Sequence, residues 1–310
     1  MKKPFILLLL SLLTFTYQMA QGQTDSTATV EVVVNKPVRF VWESGYLIDQ
    51  QTSKVAPVHT LESTIQHKFG GMSKGFQDLF GIMAPGANVR IGLDFVIAKN
   101  LQIGYALQKK NMYSEFNAKW TPIHQMNTGM PISVSFYSNV AIDGRLKSLW
   151  EADKYYHSSD SVAYTKHDYR FTNRLSYYSQ VMVARKFNSF LTLQVGASFS
   201  HFSTVAWHQD HDKVGLHAGG RIKLTPQGSL IFNYDLPLQI KGMSEQPDFT
   251  IHPEPIASFG YEVSTSTHAF QIYVGSNDTL LPQDMMLNNY RKLNWDNFCV
   301  GFTISRLWGF

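Results

Sequence analysis

The stretch NFCVGFTISRLWGF, residues 297–310, gives the clearest indication of how this chain folds. From Phe298 to Phe310 every second residue is large and mostly apolar, while the residues between them are mostly small or polar. A period of two predicts a β-strand with one apolar face and one polar face. An unpaired strand of this kind invites aggregation, whereas a membrane β-barrel pairs it and turns its apolar face to lipid. Taken alone, the stretch also fits the closing strand of a soluble sandwich.

The first 22 residues favour the barrel, because they have the pattern of a secretory signal peptide. Lys2 and Lys3 precede an apolar run, Phe5–Leu13, and the small residues Ala20 and Gly22 follow it. This run is too short for a membrane-spanning anchor, so we expect cleavage near residue 23. No cysteine lies near that point, and we therefore expect no lipoprotein anchor.

The composition agrees with an exported barrel. Aromatic residues make up 14% of the 310 residues and charged residues 16%. Without Lys2 and Lys3 the 27 basic residues become 25, against 23 acidic ones, which gives no basic excess for binding nucleic acid. Beyond the leader no apolar run reaches the ~18 residues that a transmembrane helix needs. The single cysteine, Cys299, has no partner for an intramolecular disulfide.

Segments of alternating character recur along the rest of the chain, each close to the ~10 residues that a tilted strand needs to cross a membrane. They number about twelve, an even number, as is usual for bacterial barrels of one chain. The predicted strands are 61–70, 88–97, 101–109, 112–120, 131–142, 173–185, 189–202, 214–224, 229–236, 255–263, 267–276 and 296–310.

The lengths of the connections give a second indication of the fold. Connections after the second, fourth and every later even-numbered strand are brief, and most of the others are long, with Lys110–Asn111 as the exception. Outer-membrane barrels have short periplasmic turns and long extracellular loops, whereas a soluble sandwich has no reason to sort its loops in this way. The prediction is an all-β, antiparallel, up-and-down transmembrane barrel at residues 61–310, with both termini in the periplasm. Residues 23–60 are expected to form a flexible periplasmic lead-in or a strap that enters the lumen.

Two motifs resemble a known family. The sequence HKFG, residues 67–70, ends one predicted strand, and NVRIGLDF, residues 88–95, forms the next. They are similar to the H-[RK]-F-G and N-[VI]-R-x-G-x-D-[YF] motifs of an uncharacterised family of membrane β-barrels from Bacteroidetes, the domain of unknown function 5777. The resemblance runs from about Arg39 to Phe310, with Lys68 where arginine is usual. It implies an outer-membrane barrel and no established activity.

The phase of the strands predicts which charged side chains face the lumen. Both signs occur in similar numbers, which is compatible with a salt-bridged network that fills a narrow lumen and also with a path for solutes. The candidates are Lys68, Arg90, Asp94, Glu115, Lys119, Arg174, Arg221, Asp235 and Glu262, and the same phase includes Glu62, His217 and Lys223.

The sequence contains little indication of a metal site or of an enzyme. His208 and His211 lie three residues apart in a polar loop and are the best candidates for metal ligands, but that spacing is common in solvated loops. We expect no metal and no cofactor. Gly-x-Ser-x-Gly, P-loop, dinucleotide-binding and Cys-x-x-Cys motifs are all absent. The chain is therefore not expected to be an enzyme.

The function predicted from these features is that of a channel or structural barrel for small solutes. A different reading is a membrane-anchored binding module that uses loops 143–172 and 277–295 for an extracellular ligand, and a third is an outer-membrane hydrolase. The expected partners are outer-membrane lipid and the barrel-assembly machinery, because Phe310 resembles the terminal signal that this machinery recognises. No nucleic acid is expected.

Overall fold

A computed structural model of the chain describes residues 35–39, 41–147, 169–205, 209–240, 242–243 and 252–310. Twelve antiparallel strands in this part of the chain form one closed barrel. A separate two-residue hairpin, β1 (Tyr46–Leu47) and β2 (Gln50–Gln51), precedes them. The barrel strands are β3 (Thr60–Gly71), β4 (Asn88–Ala98), β5 (Leu101–Gln108), β6 (Ser114–Ile123), β7 (Ser133–Ile142), β8 (Leu175–Lys186), β9 (Leu191–Phe202), β10 (Asp212–Lys223), β11 (Gly228–Leu238), β12 (Ile256–Ser264), β13 (His268–Gly275) and β14 (Cys299–Gly309).

The wall closes where the last strand meets the first. β14 pairs with β3 in an antiparallel register that places Ile304 opposite Ile65, with a bulge between Cys299 and Gly301. Every other strand pairs with its neighbours in the chain, which is the up-and-down topology. Closure leaves no free sheet edge, so every strand in the wall has backbone partners on both sides, as a lipid environment requires.

Alternation along each strand separates an apolar outer face from a polar lumen. On β14, Ile304 and Trp308 are exposed on the outside, whereas Thr303 and Ser305 are buried inside. The other strands repeat this pattern, and their outer face carries exposed isoleucine, leucine, valine and phenylalanine. In water such a band would be unfavourable, but against lipid it is the expected surface of a membrane barrel.

The predicted fold class is confirmed, and each of the twelve predicted segments overlaps one strand of the barrel. The last strand begins at Cys299 and not at Asp296, because Trp295–Asn297 form a 3-10 turn in which the Asn294 side chain caps the N–H group of Asn297. Apart from the short link between β5 and β6, the long connections lie at one end of the barrel, here called the loop end, and the brief ones at the other, the turn end. The predicted leader 1–22, His208 and most of loop 143–172 lie outside the described residues.

Two segments fill the inside of the barrel. From the turn end, the plug hairpin (residues 42–53, which includes β1 and β2) lies in the lumen, and almost all of its residues are buried. From the loop end, the connection between β13 and β14 folds inward as a short helix, α1 (Pro282–Leu287), which is also buried. Residues 42–53 thus lie inside the barrel, whereas residues 23–34 lie outside the described part of the chain. No helix in the described part of the chain is long and apolar enough to cross a membrane.

Candidate functional site: the filled lumen

The wall holds the plug hairpin through both its side chains and its backbone. Wall side chains bond seven of its main-chain atoms: Gly45 N, Tyr46 O, Ile48 N, Ile48 O, Gln51 O, Ser53 N and Ser53 O. The partners lie on four different strands and are Glu62 and Gln66 on β3, Thr121 on β6, Gln194 on β9 and Gln271 on β13. Buried peptide groups must find such partners, so the wall replaces the water that the hairpin has lost.

Apolar contacts add to the grip at the tip of the hairpin. Leu47 and Ile48 pack against Ala184, Ile231 and Tyr273 of the wall. Gly219 leaves room for this approach, because a Cβ atom there would lie 2.6 Å from Leu47 Cδ2. The wall therefore has a glycine where the hairpin comes closest.

The tip of the hairpin is also strained. Ile48 has a φ of 57°, which is uncommon for a β-branched residue. Conformations of this kind cost about 1–3 kcal/mol and persist only when the surroundings impose them. The strain favours release of the hairpin, whereas the wall contacts oppose it.

A buried ion pair lies behind the hairpin. The Arg90 Nε donates to both carboxylate oxygens of Glu115 at 3.0 and 3.1 Å. The guanidinium also donates to Tyr46 Oη at 2.9 Å and to Gln66 Oε1 at 3.2 Å. Glu115 accepts further bonds from Asn139 and Gln108. A buried ion pair needs such additional bonds to offset the loss of hydration.

Lys68 connects the two segments that fill the lumen. Its Nζ donates to Asp49 Oδ2 in the hairpin and to Asn277 Oδ1 in the loop before α1, both at 2.6 Å. Both side chains of the Lys68–Asp49 pair are about 1% exposed. Because one ammonium serves both segments, displacement of either segment leaves Lys68 with fewer partners.

The helix α1 closes the loop end. Leu281, Met285 and Met286 are buried inside the barrel, and the Gln283 Nε2 donates to Asn139 Oδ1 at 2.9 Å. Lys110 at the rim pairs with Asp284 at 2.9 Å. Residues 280–287 of one predicted display loop are thus turned inward rather than presented to the outside.

Three strands bring together a hydrogen-bonded chain that no motif in the sequence indicates. The His217 Nδ1 lies 2.5 Å from Asp235 Oδ1, and its Nε2 lies 2.7 Å from Ser198 Oγ. Asp235 also accepts a bond from Gln50 of the hairpin at 2.6 Å. The order Ser-His-Asp is that of a hydrolase triad, and a cavity beside His217 and Asp235 has a volume of about 10 Å³, enough for about one water molecule. Through Gln50, these hydrogen-bonded side chains link the hairpin to the wall.

Eight of the nine charged residues predicted to face the lumen are buried within it. Lys68, Arg90, Asp94, Glu115, Lys119, Arg221, Asp235 and Glu262 are all at most 2% exposed. The prediction for Arg174 is wrong in its location. Strand β8 begins only at Leu175, and Arg174 ends a 3-10 turn at the loop end, where it donates to the carbonyl of Asp143 at 2.7 Å.

Sequence reasoning missed Asp49 and Asp284, which lie outside the predicted strands, and the uncharged side chains that face the lumen. Gln66, Gln194 and Gln271 lie in the inward phase of their strands and make most of the bonds to the hairpin backbone. The alternation of residues along each strand places these glutamines on the inward face and could have identified them. The prediction, however, takes only charged side chains as lumen candidates. Helix α1 also had a local signal, because Pro282 occupies its first turn.

Of the two histidine candidates for metal ligands, the structure describes only His211. His211 Nδ1 lies 2.6 Å from the Phe202 carbonyl oxygen, whereas His208 lies outside the described part. No group of three or more histidine, cysteine or carboxylate side chains there has the arrangement to hold a metal ion.

A salt bridge fastens the outer part of the loop before β14. Arg291 Nη2 donates to Asp278 Oδ2 at 2.7 Å. Burial alone would raise the pKa of the Asp278 carboxyl, but the positive charges of Arg291 and Lys110 outweigh this effect and hold the pKa below its usual value. The bridge therefore stays ionised at neutral pH and holds the loop over the filled lumen.

Comparison with known families gives a match over most of the chain. The model of a family described as a membrane-bound beta barrel domain, the domain of unknown function 5777, matches residues 42–308. A search of the curated proteins finds no match.

Solved structures of other barrels are similar in outline. An outer membrane channel from Pseudomonas putida F1 is 12% identical, with 84% of this chain and 100% of that chain covered and a TM-score of 0.46. The KdgM porin is 6% identical, with 81% and 99% covered and a TM-score of 0.42. LpxR from Salmonella typhimurium is 8% identical, with 81% and 100% covered and a TM-score of 0.35.

Proposed function

The chain belongs to the family of membrane-bound β-barrel domains of unknown function 5777, and we propose that it is an outer-membrane channel for small solutes. In this proposal its own plug hairpin keeps the channel closed. The barrel carries out no chemical reaction in this proposal. The apolar outer face and the polar inner face support a membrane location and an aqueous path.

The observation that carries the proposal is the way in which the hairpin is held. Its backbone is bonded by wall side chains, and each such bond can be replaced by water with a net cost of about 0.5–1.5 kcal/mol. A polar plug, strained at Ile48, is suited to leave and return.

Helix α1 is the second closure, at the loop end. Its inward position favours the channel over the binding module, because residues 280–287 are not available to an extracellular ligand while they lie inside the barrel. Lys68, which bonds both segments, couples the two closures. Opening then requires the hairpin to leave the lumen and α1 to move aside.

The test is single-channel conductance of the full chain with a specific protease site inserted at residues 57–59, which are exposed at the turn end. Before cleavage the barrel is expected to be silent. After cleavage the hairpin is no longer tethered, and discrete openings should appear, with larger ones when α1 is also replaced by a flexible linker. A folded barrel, shown by a heat-dependent shift in gel mobility, that stays silent in all these forms would overturn the channel.

A further inference from the structure

Two wall glutamines bind the hairpin in the same way. The Gln271 side chain accepts a bond from Ile48 N at 2.9 Å and donates to Tyr46 O at 2.8 Å. The Gln194 side chain accepts from Ser53 N at 3.2 Å and donates to Gln51 O at 2.7 Å. Each carboxamide thus spans the carbonyl of one residue and the N–H of the second residue after it.

This spacing is a property of extended backbone and does not depend on the side chains. In a β-strand the carbonyl of residue i and the N–H of residue i+2 point to the same side, where a neighbouring strand would bind them. A carboxamide offers one acceptor and two donors, so it can take the place of that strand. Gln271 on β13 and Gln194 on β9 supply this contact to different parts of the hairpin.

Other groups complete a surface suited to peptide backbone. Gln66 donates to Ile48 O at 3.2 Å, and Thr121 donates to Ser53 O at 3.1 Å. Further amide atoms in the lumen, Gln102 Oε1 and Gln180 Nε2, are buried and have no hydrogen-bond partner among the described residues. Buried amide groups of this kind are costly unless a ligand or water bonds them.

The side chains of the hairpin indicate a preference at two positions. Leu47 and Ile48 occupy an apolar site formed by Ala184, Ile231 and Tyr273. The next residue, Asp49, meets the ammonium of Lys68. The wall thus combines backbone recognition with an apolar site followed by a cationic one.

We propose that the lumen is a binding site for short peptides that form a β-hairpin, each arm of which is extended, and that residues 45–53 occupy it as an internal substitute for that ligand. This inference rests on the proposed function, in which the hairpin leaves the lumen. It adds the class of solute: peptides bound through their backbone, with an apolar residue followed by an acidic one favoured.

The test uses the full chain cleaved at residues 57–59, so that the hairpin can exchange with added peptide. The probe is a fluorescently labelled peptide of residues 45–53, GYLIDQQTS, and its anisotropy is measured at equilibrium in detergent. Saturable binding is expected after cleavage and none before it, because the tethered hairpin competes. A variant that lacks residues 36–58 but keeps the heat-dependent mobility shift of a folded barrel gives a second preparation.

Two comparisons examine how the peptide is recognised. Methylation of the backbone nitrogens that correspond to Ile48 and Ser53 removes the two N–H groups and leaves every side chain intact, and binding should fall at least tenfold. Gln271→Leu and Gln194→Leu should weaken binding similarly, whereas Gln227→Leu, at an exposed turn, should not. Unrelated hairpin-forming peptides with an apolar–acidic pair at the turn should also bind.

Three results would overturn the inference. The first is that the peptide binds to neither preparation, and the second is that the N-methylated peptide binds as well as the unmodified one. The third is that the hairpin sequence binds but unrelated peptides do not, which would mean that the plug fits only its own barrel. Because binding is measured at equilibrium without ion flow, a silent barrel that binds peptides would end the channel proposal and keep this one. Conductance without peptide binding would keep the channel proposal and end the peptide-binding one.

Discussion

Removal of the buried charge of Glu115 should destabilise the barrel far more than removal of a charge at its rim. Arg90 and Glu115 are about 2% and 0% exposed, and their closest contact is 3.0 Å. At that distance two unit charges attract by about 5.5 kcal/mol at an effective dielectric constant of about 20. Glu115→Gln keeps the shape but leaves the guanidinium without its counter-charge, and its amide nitrogen faces donors where a carboxylate oxygen accepted two bonds.

We therefore expect Glu115→Gln to lower the free energy of unfolding by about 3–5 kcal/mol, the range found when one member of a buried pair is removed. Arg90→Met combined with Glu115→Leu should cost much less, because no charge is then left buried. Asp278→Asn is the matched control. It breaks the pair with Arg291, whose side chains are 42% and 30% exposed, and should cost less than about 1 kcal/mol.

The assay is urea unfolding of the barrel in lipid vesicles, followed by tryptophan fluorescence. If Glu115→Gln and Asp278→Asn lower the free energy of unfolding by the same small amount, water reaches the Arg90–Glu115 pair. That outcome would mean that the hairpin does not seal this part of the lumen, contrary to the burial on which the expected difference depends.

Three further predictions concern the two closures and the outer loop. Lys68→Met should increase the frequency of channel openings in a planar bilayer, because Asp49 and Asn277 lose the ammonium group that they share. Lys68→Arg should open less often than Lys68→Met, and equal silence of both variants would contradict this prediction. Gly219→Ala should loosen the hairpin, because the new Cβ would lie 2.6 Å from Leu47, whereas Gly215→Ala should loosen α1, because its Cβ would contact Met286. Hydrogen exchange distinguishes the two effects, since the first variant should lower the protection of the hairpin amides and the second that of the α1 amides. The Arg291–Asp278 bridge should protect the loop from acid-active protease until the pH falls below about 3.8, the ordinary value for aspartate, because a lowered pKa keeps the carboxylate ionised down to that range. Asp278→Asn should lack this protection at every pH, and equal protection in both forms would show that the bridge does not hold the loop.

The strands could be predicted because each carries its own information. A period of two in β4 or β14 determines both the conformation and the face that meets lipid, and the phase then places Arg90 and Glu115 inside. A strand boundary next to a loop depends on local capping. For that reason the predicted segment 173–185 includes Arg174, whereas β8 begins one residue after it.

The filling of the lumen could not be predicted because it depends on contacts between distant parts of the chain. Ile48 N meets Gln271 across 223 positions of sequence, and Gln50 meets Asp235 across 185. The apolar piece around Leu47 fits a strap or a pairing segment equally well when considered alone. The Ser198–His217–Asp235 chain likewise arises only from the register of three strands.

The location of the hairpin inside the lumen, on which both proposals depend, can be probed by the reactivity of a cysteine placed in it. Ser53→Cys in a Cys299→Ser background puts the only thiol at a position that is 5% exposed, and Lys36→Cys in the same background is the exposed control. Labelling of the folded full chain with a membrane-impermeant maleimide is followed by mass spectrometry. We predict that the thiol at position 53 reacts at least a hundredfold more slowly than the thiol at position 36 until the chain is unfolded. Equal rates in the folded barrel would place the hairpin outside the lumen and contradict the plugged barrel.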